Sequence, residues 1–596
     1  MKMKKIKGLS ILTLTGLAVL GLSLSSCNKS ENKKDVYGLD NNGEVAKLGN
    51  CELVFKDNSE IPYVSLEDGV DWMSQVRQTA LKDKKYKYEF KKDGGNFVIS
   101  NDTGAKCSIN KDTQTFVYDD YDKFTSFSTD IQKPLALFPL SEKNKAIKLV
   151  SGEYTAGKKI EISLKNYSKL DIYEKNDKLY LPISVFNSLL FNTGSNLNLA
   201  YNGTNLFLIA GSTLVDTSII PVETDLAEKF REGAAKEKIS EEYLDYYYQS
   251  LCLDFNINYG LKDKFNDFDT FVTTYDYKKD LLNTDPKQID NYTGIILSWL
   301  NDGHTALSNF SNYYPFGDNK VDETKMNPVK KNLDEMDAAF TKAKEKKNIE
   351  ENGLDYSGDT VFVTFKEFKA IDEDSLYAPK TSKDDELGEI GAELDKLLDS
   401  LTTANTAKLF NKLYEDLTSD KYKDTIKNIV IDLTANEGGS ADALIYSLST
   451  LLGNVTIDSV NSLTGGHSKQ VYKADMNADG KIDEKDKSLS EWGFKIFFLD
   501  SQYSFSSANA MPYIAKLNNP NVVTLGAKTA GGPCALRQVV TPINSVIAAS
   551  SLNTLSKLEN GKYVNIDDGI KSDVSLTEEQ MIDRQYIVEN INKWSK

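Results

Sequence analysis

Histidine is scarce in this chain, and its position suggests acid-base chemistry. The 596 residues include two histidines, His304 and His467. His304 lies in Asp302-Gly303-His304-Thr305, directly after an apolar, helix-like run. Unperturbed histidine is the side chain that titrates near neutral pH, as the general base of a hydrolase must. His304 is therefore the candidate base, whereas His467 stands among polar residues and is expected to be a surface histidine.

A serine-rich turn offers a candidate nucleophile. Ser506 is expected between a buried strand over Lys495 to Leu499 and a helix over Ala508 to Leu517. A hydroxyl beside a helix N-terminus lies where negative charge is favoured, although it needs a base to become a nucleophile. Two alternatives stay open: Ser506 could be a helix N-cap, and Ser504 or Ser507 could be the nucleophile instead.

Two adjacent glycines could supply backbone donors. Gly438 and Gly439 follow the apolar strand Ile429 to Leu433 and precede a helix. Backbone N–H groups left uncovered there, together with the N–H of Ser507, could stabilise the oxyanion of a tetrahedral intermediate. The alternative is a tight turn without chemistry. Likewise, the alternative role of His304 is to complement the C-terminal dipole of the helix before it, without any part in catalysis.

These segments, together with Gly526 to Gly532, resemble the tail-specific, or C-terminal processing, serine peptidases over about residues 230 to 580. The resemblance implies that Ser506 is the nucleophile, because the family's nucleophile is followed by two small residues and a polar one. The lysine used as base in the processing branch is replaced by Gly532. The likeness is therefore to the tricorn-like, histidine-using branch, which implies His304 as base. That branch adds an acid near the C-terminus, where Asp567 or Asp568 is expected.

A second constellation predicts calcium binding. The segment 475–486 has Gly480 at loop position six and oxygen ligands at the spacing of a calcium loop. It resembles the dockerin variant, since aspartate occupies the last position, and a structural role is expected. The alternative is an acidic surface turn. The predicted ligands are Asp475, Asn477, Asp479, the carbonyl of Lys481, Asp483 and Asp486.

The first 26 residues have the features of an export signal. Four lysines precede a short apolar run that ends at Leu24-Ser25-Ser26-Cys27. This resembles a bacterial lipoprotein signal, which implies lipid on Cys27 and an extracytoplasmic protein anchored to the cell membrane. The alternative is an ordinary signal peptide with a chance cysteine. Residues 27–50 are expected to form a flexible tether, because their first part is polar and rich in Lys, Asp and Asn.

The rest of the chain predicts an α/β catalytic core behind a helical segment and an N-terminal mostly β, α+β region. Residues 51–220 contain two passages that echo each other, one around Pro62 and one around Pro182, although two unrelated β meanders would also fit. Residues 221–310 are helical and carry His304. Residues 311–596 contain near-continuous apolar strands typical of a parallel sheet, with the calcium loop inserted between them.

Composition narrows the functional classes. A net charge of −17 argues against nucleic-acid binding. The cysteines match no zinc pattern, and a bridge between Cys51 and Cys107 is possible in an exported protein. The expected function is a lipid-anchored serine endopeptidase acting on peptides or unfolded proteins. The alternatives are an inactive, peptidase-like binding or scaffolding lipoprotein, and carbohydrate binding through the tyrosines of residues 51–215.

Overall fold

A computed structural model describes most of the chain. The described residues are 33–39, 45–56, 59–80, 83–126, 144–192, 197–214, 225–232, 236–314, 320–377 and 405–595. Cys27 and the predicted signal peptide lie outside them. No helix among the described residues has the length and apolar character needed to cross a membrane.

Strands are spread over the whole described chain. The strands of the first half are β1 Lys33–Leu39, β2 Val45–Phe55, β3 Pro62–Ser65, β4 Tyr88–Asp93, β5 Asn96–Asn101, β6 Lys106–Asn110, β7 Thr115–Tyr118, β8 Ile147–Thr155, β9 Ile160–Ser163, β10 Tyr173–Lys175, β11 Lys178–Pro182, β12 Leu197–Tyr201 and β13 Leu206–Ala210. Those that follow are β14 Ala306–Asn309, β15 Gly353–Ser357, β16 Thr360–Thr364, β17 Asn428–Asp432, β18 Val455–Asn461, β19 His467–Ala474, β20 Lys495–Asp500, β21 Val523–Gly526, β22 Cys534–Val540, β23 Val546–Glu559, β24 Lys562–Asn565 and β25 Val574–Ser575.

Helices are concentrated after residue 224. The helices are Leu66–Ala80, Tyr121–Thr125, Ile183–Phe186, the π-helical turn Asn187–Phe191, Gly211–Leu214, Asp225–Arg231, Glu241–Asn258, the 3₁₀ turn Lys262–Lys264, Phe268–Thr274, Lys278–Leu281, Pro286–Ser298, Pro328–Lys346, Glu373–Leu376, Thr406–Thr418, Ala441–Leu452, Ser507–Asn518, Glu578–Met581 and Arg584–Trp594. A helix predicted over about Asp385 to Leu417 is described only from residue 405 onward.

The α/β core is built on a mostly parallel sheet. Its strand order is β15-β16-β17-β20-β21-β25, and every pair except β15 with β16 is parallel. Alternate residues of the central strands contribute to two separate apolar cores, Ile429 and Ile431 to one and Val430 to the other. Helices cover both faces, as a sheet apolar on both sides requires. The predicted α/β core is confirmed.

A second sheet brings distant parts of the chain together. It runs β14-β23-β18-β19-β8, with β22 and β24 also paired to β23. The strand after His304, β14, pairs antiparallel with β23, so Ala306 lies opposite Ala548. Strand β8 pairs with β19 although it precedes the helical segment in the sequence. The predicted mostly β region, residues 51–220, therefore contributes strand β8 to a sheet of the C-terminal half.

The N-terminal region contains two further sheets, ordered β10-β11-β3-β2-β1-β13-β12 and β4-β5-β6-β7-β9. The predicted tether over 27–50 is wrong where it is described, because Lys33–Leu39 and Val45–Phe55 form paired strands. Val36 is fully buried there, so the apolar residues scattered among the lysines pack into the domain. The polar composition of this segment predicted a flexible chain, although its polar residues are the solvent-facing residues of a strand.

The two echoing passages lie side by side. Strands β3 and β11 pair antiparallel, with Leu181 opposite Val64 and Pro182 opposite Tyr63. Each strand leads directly into a helix. Whether the passages are repeats of one unit stays a prediction, but their pairing places the two similar segments in one sheet.

The cysteines and some of the tyrosines of this region belong to its interior. Buried tyrosines are Tyr63, Tyr88, Tyr118, Tyr121 and Tyr180. Partly exposed ones are Tyr86, Tyr154, Tyr167, Tyr173 and Tyr201, so carbohydrate binding through the tyrosines stays a prediction. The bridge considered between Cys51 and Cys107 is not formed, because both are buried free thiols on different sheets.

Candidate active site

Ser506 lies at a strained turn between β20 and the helix Ser507–Asn518. Its backbone has φ +55° and ψ −118°, a conformation that costs a non-glycine residue about 1–3 kcal/mol. Its N–H donates to the carbonyl of Gly531 at 2.9 Å, and its own carbonyl accepts the N–H of Ala510 at 2.8 Å. Ser506 occupies the N-cap position, yet its side chain makes no capping bond. The N-cap alternative therefore does not explain this side chain.

The hydroxyl of Ser506 faces His304. His304 Nε2 and Ser506 Oγ are 2.9 Å apart, although the residues are 202 positions apart in sequence. Ser506 is half-buried and His304 is 8% exposed. The competing serines are occupied elsewhere: Ser504 Oγ donates to the carbonyl of Leu433 at 2.7 Å, and Ser507 Oγ donates to that of Gly439 at 2.8 Å. Of the three serines, Ser506 is the one bonded to an imidazole.

The loop that carries His304 is held at both ends. Asn301 adopts φ +49° after the helix Pro286–Ser298, and β14 begins two residues after His304. Asp302 Oδ1 accepts the backbone N–H of His304 at 3.0 Å. The imidazole bonds to Ser506, so it does not serve mainly to complement the preceding helix dipole.

Phe505 explains the glycine that replaces the lysine of the processing branch. Its ring centroid lies 4.7 Å from that of His304. A Cβ at Gly532 would stand 2.6 Å from the Phe505 ring, and Gly532 has φ +82°. A Cβ at Gly303 would also stand 2.6 Å from the same ring. Phe505 therefore fills the space that a lysine side chain at residue 532 would cross, and the two glycines make room for it.

The glycine pair lies against the serine turn. A Cβ at Gly438 would stand 2.6 Å from Ser506 Cβ, so the close approach requires glycine. The N–H of Gly438 donates to Asn436 Oδ1 at 2.8 Å, which removes it as a free oxyanion donor. Within the described part of the chain, the N–H groups of Gly439 and Ser507 have no acceptor. Of the three predicted donors, these two remain available.

Neither carboxylate predicted to orient His304 reaches it. Within the described residues, His304 Nδ1 is buried without a hydrogen-bond partner. Asp567 is paired with Lys264 Nζ at 2.8 Å, and Asp568 is exposed. The prediction that one of them bonds the imidazole is wrong for this structure. The loop that carries both aspartates lies near His304, but the Asp567 carboxylate binds Lys264 instead. Sequence spacing placed the loop correctly and could not decide where its side chains point.

Asp302 is the acidic residue beside His304 that was not predicted from the sequence. It is 8% exposed and lies two residues before His304. An aspartate whose side chain accepts the backbone N–H two residues later forms a common local turn. The Asp302-Gly303-His304 spacing was therefore a signal that Asp302 could hold the backbone of His304. Its contacts with three hydroxyl groups come from residues scattered through the chain.

Electrostatics set the protonation state of His304. Burial lowers the pKa of His304 below its ordinary value of 6.5, against the opposing influence of Asp302 and Asp567. The imidazole is therefore neutral at pH 7. A neutral ring with its proton on Nδ1 can accept the Ser506 proton at Nε2.

The loop 475–486 has part of the geometry of a calcium site. Asp475 accepts the N–H groups of Asp479 and Gly480 at 3.2 and 2.7 Å, and Asp486 accepts that of Met476 at 2.8 Å. Burial and the nearby Asp486 raise the pKa of Asp475. The oxygen ligands suit calcium. However, within the described residues no three His, Cys, Asp or Glu side chains converge on one point. Calcium binding stays a prediction.

The surroundings of His467 are those of a structural residue. Its ring stacks on Tyr563 with centroids 4.7 Å apart, and Nε2 lies 3.4 Å from Asp458. It is half-buried on β19 and contacts none of the residues discussed above. His467 is therefore a control for substitutions of His304.

The neutral His304 predicts how the reactivity of Ser506 depends on pH. The rate constant for modification of Ser506 by a fluorophosphonate should rise with pH through one ionisation whose midpoint lies below 6.5, and then stay constant through pH 7 to 8. The reason is that protonated His304 cannot accept the serine proton. Stopped-time labelling from pH 4.5 to 9, followed by intact-mass spectrometry, measures it. A midpoint above pH 8 would point to a different base.

Comparisons with known proteins show what this chain is similar to. Residues 396–576 match the model of peptidase family S41. Similar solved structures include a lipoprotein from Streptococcus agalactiae (14% identity, TM-score 0.34, 59% of this chain and 95% of that one). Another is a candidate peptidase from Parabacteroides merdae (17% identity, TM-score 0.34, 57% of this chain and 92% of that one). A third is the photosystem II D1 C-terminal processing protease (16% identity, TM-score 0.25, 40% of this chain and 48% of that one). No curated protein matches the chain. Residues 396–576, which hold Ser506 and both glycines, are thus similar to the peptidases of family S41.

Proposed function

We propose that this protein is a lipid-anchored, extracytoplasmic serine endopeptidase in which Ser506 is the nucleophile and His304 the general base. The observation that carries the proposal is the 2.9 Å contact between His304 Nε2 and Ser506 Oγ. It joins a strained serine at a helix N-terminus to the buried histidine, as nucleophilic catalysis requires. The family match supports the reaction class, and peptides or unfolded proteins are the proposed substrates.

The reaction follows from the positions of the donors. Ser506 Oγ attacks the peptide carbonyl carbon while His304 Nε2 takes its proton. The oxyanion that forms is stabilised by the N–H groups of Gly439 and Ser507. His304 then returns the proton to the leaving amine, and the C–N bond breaks to leave an acyl ester on Ser506. Water, deprotonated by His304, hydrolyses the ester and restores the enzyme.

Labelling with a fluorophosphonate tests the catalytic pair. Ser506→Ala should abolish labelling, and His304→Ala should slow it by roughly 10²–10⁴-fold, the usual contribution of general base catalysis. His467→Ala and Ser419→Ala are matched controls that should label as the parent does, because both residues lie outside the site. Hydrolysis of a quenched fluorescent casein should fall in parallel.

Failure of the labelling has a definite meaning. If the folded parent protein, with calcium present, is neither labelled nor able to cleave casein, the peptidase proposal is overturned. The scaffolding alternative would then be preferred. Circular dichroism of each variant separates a lost reaction from a lost fold.

The membrane location is proposed from the N-terminal residues. Cys27 follows Leu24-Ser25-Ser26, and lipid attached to its thiol would hold the enzyme at the membrane. Cells expressing the full chain should incorporate radiolabelled palmitate into the protein, and Cys27→Ser should abolish incorporation. The matched control is Cys252→Ser, a buried cysteine far from the N-terminus, which should still be labelled. Incorporation that persists in Cys27→Ser would contradict the anchor.

We also propose that calcium binds the loop 475–486. The support is the spacing of its oxygen ligands and the closeness of two acidic side chains, Asp475 and Asp486, whose mutual repulsion a cation would relieve. Millimolar calcium should raise the melting temperature relative to EDTA, because a ligand of the folded state stabilises it. Asp475→Asn should remove the effect, and Asp424→Asn, outside the loop, should retain it. An unchanged melting temperature together with no heat of calcium binding would refute the site.

A further inference from the structure

We propose that Asp302 is a positioning residue for His304, which stabilises the imidazolium formed during the reaction without contacting the ring. This rests on the proposed function, since it assigns His304 as the base. The sequence predicts that an acid near the C-terminus orients His304. Asp302 acts on His304 instead, through the loop that carries the histidine.

The first argument is the set of hydrogen bonds made by the Asp302 carboxylate. Its donors are the backbone N–H of His304 at 3.0 Å, Tyr259 Oη at 3.0 Å, Thr305 Oγ1 at 2.6 Å and Ser550 Oγ at 2.8 Å. All the residues that supply them are buried. The four hydrogen bonds satisfy both oxygens of the carboxylate. None of these donors is charged, and the described residues place no cation on Asp302.

The second argument is the contrast with Asp567. That carboxylate is paired with Lys264 Nζ at 2.8 Å, and the same ammonium donates to the carbonyl of Asn301 at 3.0 Å. The positive charge of the lysine opposes the field that Asp567 exerts on the imidazole. Asp302 is therefore the stronger source of negative potential at His304, and it is the first of the two groups that raise the pKa of His304 against burial.

The third argument is that the positions of these residues are fixed by packing. Oδ1 of Asp302 fixes the backbone of His304, while Oδ2 is held by Ser550 on β23 and by Tyr259 after the helix Glu241–Asn258. The Phe505 ring packs against Gly303. A charge held at a fixed place in a buried site acts without reorganising, and its interaction is stronger than in water.

The other ionisable groups around His304 contribute less to this field. Burial and Asp302 raise the pKa of Tyr259 and of Cys534, so both are neutral at pH 7. Asp567 also raises the pKa of His304, but it forms the ion pair with Lys264 described above. Asp302 is the larger of the two influences.

The two-histidine composition allows a direct test. In His467→Ala, the single remaining histidine gives one ¹³Cε1 resonance in protein labelled at that carbon, and its titration reports His304 alone. Adding Asp302→Asn should lower the measured His304 pKa by about one unit, equivalent to a tenfold loss of imidazolium stability. Adding Asp568→Asn, the removal of an exposed acid, should leave it within the error of the titration. An unchanged pKa in Asp302→Asn would overturn the proposal.

A second variant covers the case in which Asp302→Asn does not fold. Tyr259→Phe removes one donor but leaves the carboxylate, so the negative potential at His304 should increase and its pKa should rise. A fall in Tyr259→Phe would mean that the cluster acts only through structure, and would overturn the proposal.

Fluorophosphonate labelling separates this inference from the proposed function. If Asp302→Asn lowers the His304 pKa while the parent protein is never labelled, the electrostatic role stands and the peptidase function fails. If the parent is labelled and Asp302→Asn reacts at the parent rate with an unchanged His304 pKa, the function stands and the inference fails. Both are supported if labelling at pH 7 slows about tenfold together with the fall in pKa.

Discussion

The contact between Ser506 and His304 depends on the docking of two sheets. Ser506 lies in the turn that follows β20 of the parallel sheet, whereas His304 precedes β14, which pairs with β23 of the antiparallel sheet. Nothing local in either segment can hold the other at hydrogen-bond distance. The contact therefore requires the apolar packing of the whole core, and any change that shifts one sheet relative to the other would open it.

Phe505 and the glycines around it give the site its shape. The ring lies tilted beside that of His304 and close to Gly303 and Gly532, while Gly438 approaches the backbone of Phe505 and Ser507. Side chains at these glycines would displace the aromatic ring or the serine turn. The replacement of a lysine by Gly532 is thus part of a consistent local arrangement, in which an aromatic side chain occupies the space and a histidine supplies the base.

The charges around His304 are arranged in two different ways. Asp302 is held by neutral donors, whereas Asp567 is bound to a cation. A carboxylate with neutral donors projects its field into a buried site, and an ion pair largely cancels its own. The usual expectation of a carboxylate bonded to the second ring nitrogen does not hold here, since Nδ1 has no partner among the described residues.

The α/β core, its parallel strands and the two residues of the candidate pair could be predicted from the sequence, because apolar runs and small-residue turns are local signals. The predictions erred at Lys33–Leu39, where lysines flank a buried valine, and at Asp567, where the direction of a side chain depends on Lys264. The role of Asp302 could not be predicted, because two of its donors, Tyr259 and Ser550, come from other segments of the chain. Which acid acts on the histidine depends on the tertiary fold, because it brings segments far apart in the sequence into contact.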